Sequence, residues 1–72
     1  MNVDGTLFEP IEAYVARAIQ EAEAQLNTDL SAMTVSEKWR FYARLKERIF
    51  FDSQSTPLYF SRINELTRQL GL

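Results

Sequence analysis

The fold is decided by one continuous stretch in the middle of the chain, Thr34-Val35-Ser36-Glu37-Lys38-Trp39-Arg40-Phe41-Tyr42-Ala43-Arg44-Leu45-Lys46-Glu47-Arg48-Ile49-Phe50-Phe51. It opens as a capping box, in which Thr34 accepts a hydrogen bond from the amide of Glu37 and Glu37 accepts one from the amide of Thr34. The stretch holds five of the nine aromatic residues and five of the eight basic residues. It predicts a long helix with more large apolar side chains than one face can bury.

Two faces are predicted for this helix. Arg40, Arg44 and Arg48 lie four residues apart on one side, and Phe41 and Phe51 flank that arginine row. The packing of a small monomer does not explain these two phenylalanines. The opposite, apolar face consists of Val35, Trp39, Tyr42, Leu45, Ile49 and Phe50.

Helical patterns are predicted on both sides of this stretch. A first helix runs from about Pro10 to about Leu30, because proline suits the first helical position and apolar residues then recur at spacings of four, three and four. A third helix starts at Thr56-Pro57, with Thr56 as its cap, and ends at Gly71. The expected core consists of Val15, Ile19, Ala22, Leu26, Trp39, Tyr42, Leu45, Ile49, Ile63, Leu66 and Leu70.

The predicted fold is all-α, either a small three-helix domain or a helical hairpin with a third helix folded back. Residues 1–9 are predicted as a flexible N-terminal segment and residues 10–72 as a single helical domain. A 72-residue chain builds only a small core, and without cysteine or histidine it has neither disulfides nor a thiolate or imidazole zinc site. We therefore expect a homodimer that covers part of Trp39, Phe41, Phe50, Phe51, Tyr59 and Phe60.

Charge is divided unevenly along the chain, although the net charge is only −2. Residues 1–33 contain six acidic residues and one basic residue, whereas residues 34–72 contain seven basic and four acidic residues. An acidic first helix that packs beside a basic second helix would account for this division. The alternative is that the basic half faces an acidic partner.

The sequence argues against an enzyme, and no cofactor or metal is expected. Nucleophilic catalysis of the Ser-His or Cys-His type is excluded because both histidine and cysteine are absent. The segment Asn2-Val3-Asp4-Gly5-Thr6 resembles the first motif of haloacid dehalogenase-type phosphatases, Asp-x-Asp-Gly-Thr. However, Asn2 stands where that family has its nucleophilic aspartate, and the chain is far shorter than the domain of that family.

The favoured function is a small non-enzymatic protein-interaction module, such as an adaptor, regulator or inhibitor. Aromatic residues and arginine dominate binding energy at protein interfaces. The partner is expected to be a protein, with acidic character on the surface that meets the arginines. No secretory signal or transmembrane segment is apparent in the sequence, so a cytoplasmic location is predicted. The predicted partner-binding residues are Trp39, Arg40, Phe41, Arg44, Arg48, Phe50 and Phe51.

Two alternatives stay open from the sequence. In the first, the second and third helices form a helix-turn-helix that binds DNA through Arg62, Asn64, Arg68 and Gln69. The acidic net charge weakens this alternative, because phosphate attraction normally comes from a strongly basic surface. In the second, the aromatic and basic helix lies on a membrane surface, although Glu37, Glu47 and Asp52 interrupt its positive charge.

Overall fold

The computed structural model describes residues 9–72, which form three α-helices and one short 3₁₀ turn, without a β-strand. The helices are α1, Ile11–Leu26; α2, Val35–Asp52; and α3, Thr56–Leu70. The 3₁₀ turn, Leu30–Ala32, lies between α1 and α2. The all-α prediction is confirmed for this part of the chain. The predicted flexible segment, residues 1–9, lies outside the described residues except for Glu9.

Helix α1 is one turn shorter than the sequence predicts. It ends because Asn27 adopts the left-handed conformation, with φ 53° and ψ 50°. The amides of Asn27 and Thr28 then bond back to the carbonyls of Ala24 and Glu23. The Glu23 carboxylate also accepts a hydrogen bond of 2.7 Å from the amide of Leu30, which fastens the following turn to α1.

The capping signals of the other two helices are largely confirmed. Thr34 Oγ1 accepts from the Glu37 amide at 3.2 Å, and Glu37 Oε1 accepts from the Thr34 amide at 2.8 Å. These bonds lower the pKa of Glu37. At α3 the cap is Ser55 rather than the predicted Thr56, since Ser55 Oγ accepts from the amide of Leu58. Gly71 ends α3 with a φ of 77°, a backbone conformation that glycine adopts without strain.

Helix α3 packs against both α1 and α2, which contact each other less extensively. The three helices enclose one apolar core, to which α1 contributes one large side chain, Tyr14, and several small and medium ones. Its fully buried members include Leu45 and Leu66. The core consists of Tyr14, Val15, Ala18, Ile19, Ala22, Phe41, Leu45, Ile49, Ile63, Leu66 and Leu70.

The prediction of which residues of α2 face the core was wrong, because the helix is rotated about its axis relative to the predicted orientation. Phe41 is only 4% exposed and packs in the core with Leu45 and Ile49, whereas Trp39 is 51% exposed. Tyr42 is partly buried at the edge of the core, and Leu26 of α1, also assigned to the core, is 40% exposed. Apolar residues occupy more than half of the circumference of α2. Periodicity alone therefore does not determine which part of that arc faces α1 and α3.

A buried arginine joins the three helices. Arg62 of α3 is 5% exposed, and its guanidinium carbon lies 3.7 Å from the centre of the Tyr14 ring of α1. Its Nη1 donates to the Asp52 carbonyl oxygen at 3.4 Å and to Ser53 Oγ at 3.1 Å, at the C-terminus of α2. The Tyr14 hydroxyl donates to Asp52 Oδ2 at 2.7 Å. We call Tyr14, Asp52, Ser53 and Arg62 the arginine junction.

The arginine junction stabilises the end of α2 by electrostatics as well as by contact. A helix C-terminus carries partial negative charge on its unpaired carbonyl groups, so a cation there is favourable. Stacking on a desolvated aromatic ring contributes a further attraction, on the order of 2 kcal/mol. These terms offset the cost of burying the guanidinium, whose Nε has no hydrogen-bond partner among the described residues.

We predict that Phe41→Ala destabilises the protein by about 3–5 kcal/mol, because it removes a large side chain from the core and leaves a cavity. The matched control is Phe51→Ala, at a position that is 78% exposed, where we expect a loss within about 0.5 kcal/mol. Urea unfolding followed by far-ultraviolet circular dichroism measures both. Equal losses for the two variants would contradict the observed orientation of α2.

We also predict that stability falls at alkaline pH through Tyr14. Burial raises the pKa of Tyr14 to about 12, and the hydrogen bond to Asp52 adds to this effect. An unfolded tyrosine has a pKa of about 10, so the folded state holds the proton more tightly. The contribution of Tyr14 is therefore complete below about pH 10 and is lost as the pH rises towards about 12.

Urea midpoints between about pH 9 and pH 12 test this prediction, with Tyr14→Phe as the comparison. The variant has no phenol to ionise, so its midpoint should fall less steeply over this range. Parallel curves for wild type and variant would show that Tyr14 does not ionise with a raised pKa.

Candidate protein-interaction surfaces

Aromatic side chains of α2 and α3 form a connected surface. The Phe50 ring makes edge contacts with Phe51 and Tyr59, at centroid distances of 5.5 and 5.6 Å, and Tyr59 contacts Phe60 at 5.5 Å. Closer to the N-terminus of α2, the rings of Trp39 and Tyr42 make an edge contact, with their centroids 5.5 Å apart. We call this set the aromatic surface, and it consists of Trp39, Tyr42, Phe50, Phe51, Tyr59 and Phe60.

The aromatic surface is largely open to solvent. Phe51 is 78% exposed, and Phe50 and Phe60 are each 58% exposed. Tyr42 and Tyr59 are partly buried against the core and hold the exposed rings in place. Taking roughly 200 Å² for each aromatic side chain, the four most exposed rings present on the order of 500 Å² to solvent. That is as large as the largest apolar patch of a typical monomer.

A shallow groove runs across the aromatic surface between α2 and α3. Lys46 lies beside it, with its amine 5.7 Å from the centre of the Tyr42 ring. Neither Lys46 nor Glu47 forms an ion pair with a described residue. The groove is lined by Tyr42, Ala43, Lys46, Glu47, Phe50, Phe51 and Tyr59.

A second concave region lies on the other flank of α2, where that helix meets the end of α1. Arg40 and Arg44 are exposed there, one helical turn apart, beside an apolar floor. Within residues 9–72 these two arginines form no ion pair. We call this region the arginine groove, and it is lined by Leu26, Thr28, Met33, Glu37, Arg40, Phe41 and Arg44.

Two of the predicted partner-binding residues, Phe41 and Arg48, contact other parts of the described chain. Phe41 was expected to flank the arginine row as an exposed anchor, but it is 4% exposed and only its edge reaches the arginine groove. Arg48 was expected to bind an acidic group of a partner, but its guanidinium bonds to the Glu21 carboxylate of α1. This contact lowers the pKa of Glu21. The remaining predicted residues, Trp39, Arg40, Arg44, Phe50 and Phe51, are all exposed.

The structure therefore divides the predicted single site into two surfaces. Trp39 and Phe50 belong to the flank of α2 that adjoins α3, whereas Arg40 and Arg44 belong to the flank that adjoins α1. Phe51 lies at the C-terminal end of α2, where it contacts Phe50. Sequence reasoning missed Leu26 and Met33, which line the arginine groove, because Leu26 fits the apolar period of α1 and was assigned to the core.

The residues proposed for DNA recognition are mostly engaged within the protein. Arg62 is buried in the arginine junction. Arg68 bonds to Glu65 and lies 3.7 Å from Glu12, and the Gln69 amide donates to the Glu12 carbonyl and to Glu65. Asn64 is exposed. This arrangement presents little positive charge along α3.

Some acidic residues of the first half of the chain pair with basic residues of the second half. Glu21 of α1 pairs with Arg48 of α2, and Glu12 of α1 faces Arg68 of α3. These contacts join the acidic first helix to the basic second half of the chain. Arg40 and Arg44 remain as basic residues directed away from these pairs.

The described part of the chain contains no cluster of side chains suited to hold a metal ion. Among residues 9–72, no group of three acidic side chains comes together in a way that could hold a metal ion. No helix of this part is both long enough and apolar enough to cross a bilayer. Comparison with known proteins found no matching family model, no matching curated protein and no matching solved structure.

Proposed function

We propose that this protein is a small non-enzymatic protein-interaction module, an adaptor, regulator or inhibitor, that acts by occupying the surface of a partner protein. The exposure of the aromatic surface is the observation that carries this proposal. A chain that needed these rings only for its own core would bury them, as it buries Phe41.

The rigidity of α2 supports the proposal. A capping box fixes its first turn, and the arginine junction fixes its last turn. A helix held at both ends loses little backbone freedom when it binds, so more of the contact energy appears as affinity. Aromatic anchors on such a helix are typical of interfaces in which a few residues supply most of the binding energy.

The arginine groove supports a partner with acidic and apolar character. Arg40 and Arg44 form no ion pair with a carboxylate of the described chain, although Glu37 lines the same groove. Leu26 and Met33 supply an apolar floor between these arginines and α1. An acidic segment with an apolar side chain would pair with the guanidinium groups and cover this floor. Phe51, further along α2, adds an exposed aromatic anchor. The cytoplasmic location predicted from the sequence is part of this proposal.

The test is capture of a partner from nuclease-treated native lysate with the tagged protein. The informative variant is Phe51→Ala/Arg44→Glu, because both side chains are exposed and neither contributes to the core. The matched control is Asn64→Ala, an exposed change on α3. We expect wild type and control to retain a protein in stoichiometric amount, and the double variant to lose it while keeping its helical circular dichroism.

Failure to retain any protein would contradict the proposal. Recovery of nucleic acid without nuclease would instead favour the helix-turn-helix alternative. Salt separates the two classes further, because affinity for nucleic acid falls steeply and linearly on a logarithmic salt scale. An interface anchored by aromatic residues depends much less on salt.

A further inference from the structure

The arginine groove is short and is bounded at both ends. Its lining on α2 extends from Glu37 to Arg44, which corresponds to about 10 Å along the helix axis. Beyond Arg44, the Arg48 guanidinium bonds to the Glu21 carboxylate and joins α2 to α1, and this pair does not line the groove. At the opposite end lies Met33, directly after the 3₁₀ turn. A length of about 10 Å matches roughly three extended residues or two helical turns of a bound chain.

The volume of the arginine groove suits a side chain better than a small molecule. It is about 250 Å³, which is below the roughly 300–1,000 Å³ of typical small-molecule sites. The floor is apolar, because Leu26 is 40% exposed, Met33 is partly buried and the edge of Phe41 reaches the groove. Methionine adapts its shape to irregular apolar neighbours. The groove can therefore cover one large apolar side chain.

The charges along the groove have a definite order. Glu37 lies in the first turn of α2, and Arg40 and Arg44 follow it after three and four residues. The hydrogen bond from the Thr34 amide lowers the pKa of Glu37, so its carboxylate is charged at neutral pH. One end of the groove therefore repels a carboxylate, and the two arginines attract carboxylates towards the other end.

We propose that the arginine groove binds a short linear segment of the partner protein, in which one large apolar side chain lies beside two acidic residues. This inference rests on the proposed function and names the feature of the partner that the groove recognises. The carboxylates form charge-assisted hydrogen bonds with the two guanidinium groups, and the apolar side chain displaces water from the floor. Within residues 9–72, Arg40 and Arg44 form no ion pair, so the segment does not have to displace one.

An acidic peptide fits the arginine groove better than a nucleic acid does. A nucleic acid carries a negative charge on every nucleotide, so it would bring phosphate towards Glu37 as well as towards the arginines. The floor formed by Leu26 and Met33 offers no hydrogen bond from its side chains to a sugar or a phosphate. A leucine-sized side chain between carboxylates uses both the charge and the floor.

The test is fluorescence anisotropy with a synthetic probe, a short labelled peptide of glycine and serine that contains one leucine flanked on each side by two glutamates. We expect saturable binding to the wild-type chain. Arg44→Glu should bind the probe about tenfold more weakly, because attraction becomes repulsion. A second probe, with serine in place of the leucine, should also bind about tenfold more weakly, because it leaves the apolar floor in contact with water.

Glu37→Gln tests whether the probe lies in the groove. The glutamine oxygen can still accept the Thr34 amide, so α2 should keep its capping box. Loss of the carboxylate should tighten binding of the acidic probe about threefold, the size expected for one exposed charge interaction. Lys46→Glu is the matched control, since it makes the same change of charge as Arg44→Glu on the opposite flank of α2. It should bind the probe like wild type.

All variants should keep the helical circular dichroism of wild type. A wild-type chain without saturable binding would overturn the inference. Equal losses for Lys46→Glu and Arg44→Glu would also overturn it, since net charge alone would then explain the binding. The same conclusion would follow if the serine probe bound as tightly as the leucine probe, or if a single-stranded oligonucleotide displaced the probe as well as unlabelled peptide does.

The peptide measurement and the capture of a partner from lysate give separate answers. A captured protein without peptide binding would refute only this inference, because the partner would then use another surface such as the aromatic surface. Peptide binding without a captured protein would refute only the proposed function.

Discussion

The structure depends on the burial of the Arg62 guanidinium between Tyr14 and the C-terminus of α2. This contact is the only one in the described chain that places a charged side chain inside the protein. It uses one side chain from α3 to bind α1 through a ring face and α2 through a carbonyl and a hydroxyl. An apolar residue at this position would pack against Tyr14, but it would leave the last carbonyl groups of α2 without this donor.

The arginine junction lies at the end of α2 whose buried residues belong to the core. It holds Asp52 and Ser53 beside Tyr14, and with the end of α2 fixed there, Phe41, Leu45 and Ile49 face inwards. Trp39 and Phe50 then lie on one flank, and Arg40 and Arg44 on the other. One buried contact far from the middle of α2 is thus linked to the separation of the two surfaces on which the proposed functions depend.

The sequence predicts the helices and their caps well because those features are local. The Thr34–Glu37 capping box and Gly71 each act within one helical turn, and both occur as predicted. The early end of α1 is a local event too, but asparagine enters the left-handed conformation only in some contexts, and here the Glu23 bond to Leu30 reinforces it. Propensity alone gives no sign of that bond.

The sequence predicts which kinds of residue form the exposed surfaces, but not where each residue lies on them. The sequence shows too many aromatic residues for one core, but the inward position of Phe41 depends on how α1 and α3 pack. Arg62 shows the same limit. Its spacing on α3 suits a solvent-exposed base, and its burial depends on Tyr14, which lies 48 positions earlier in the chain. Long-range pairs of this kind leave no periodic signal in a single sequence.

The most direct test of this account is a nuclear magnetic resonance measurement of the Arg62 side chain in the intact protein. Stacked on the Tyr14 ring and shielded from water, Arg62 should show side-chain proton shifts moved upfield by the ring and slow exchange of its Nε proton. Shifts typical of a solvated arginine, together with rapid exchange, would contradict the claim that this buried contact fixes α2 between its neighbours.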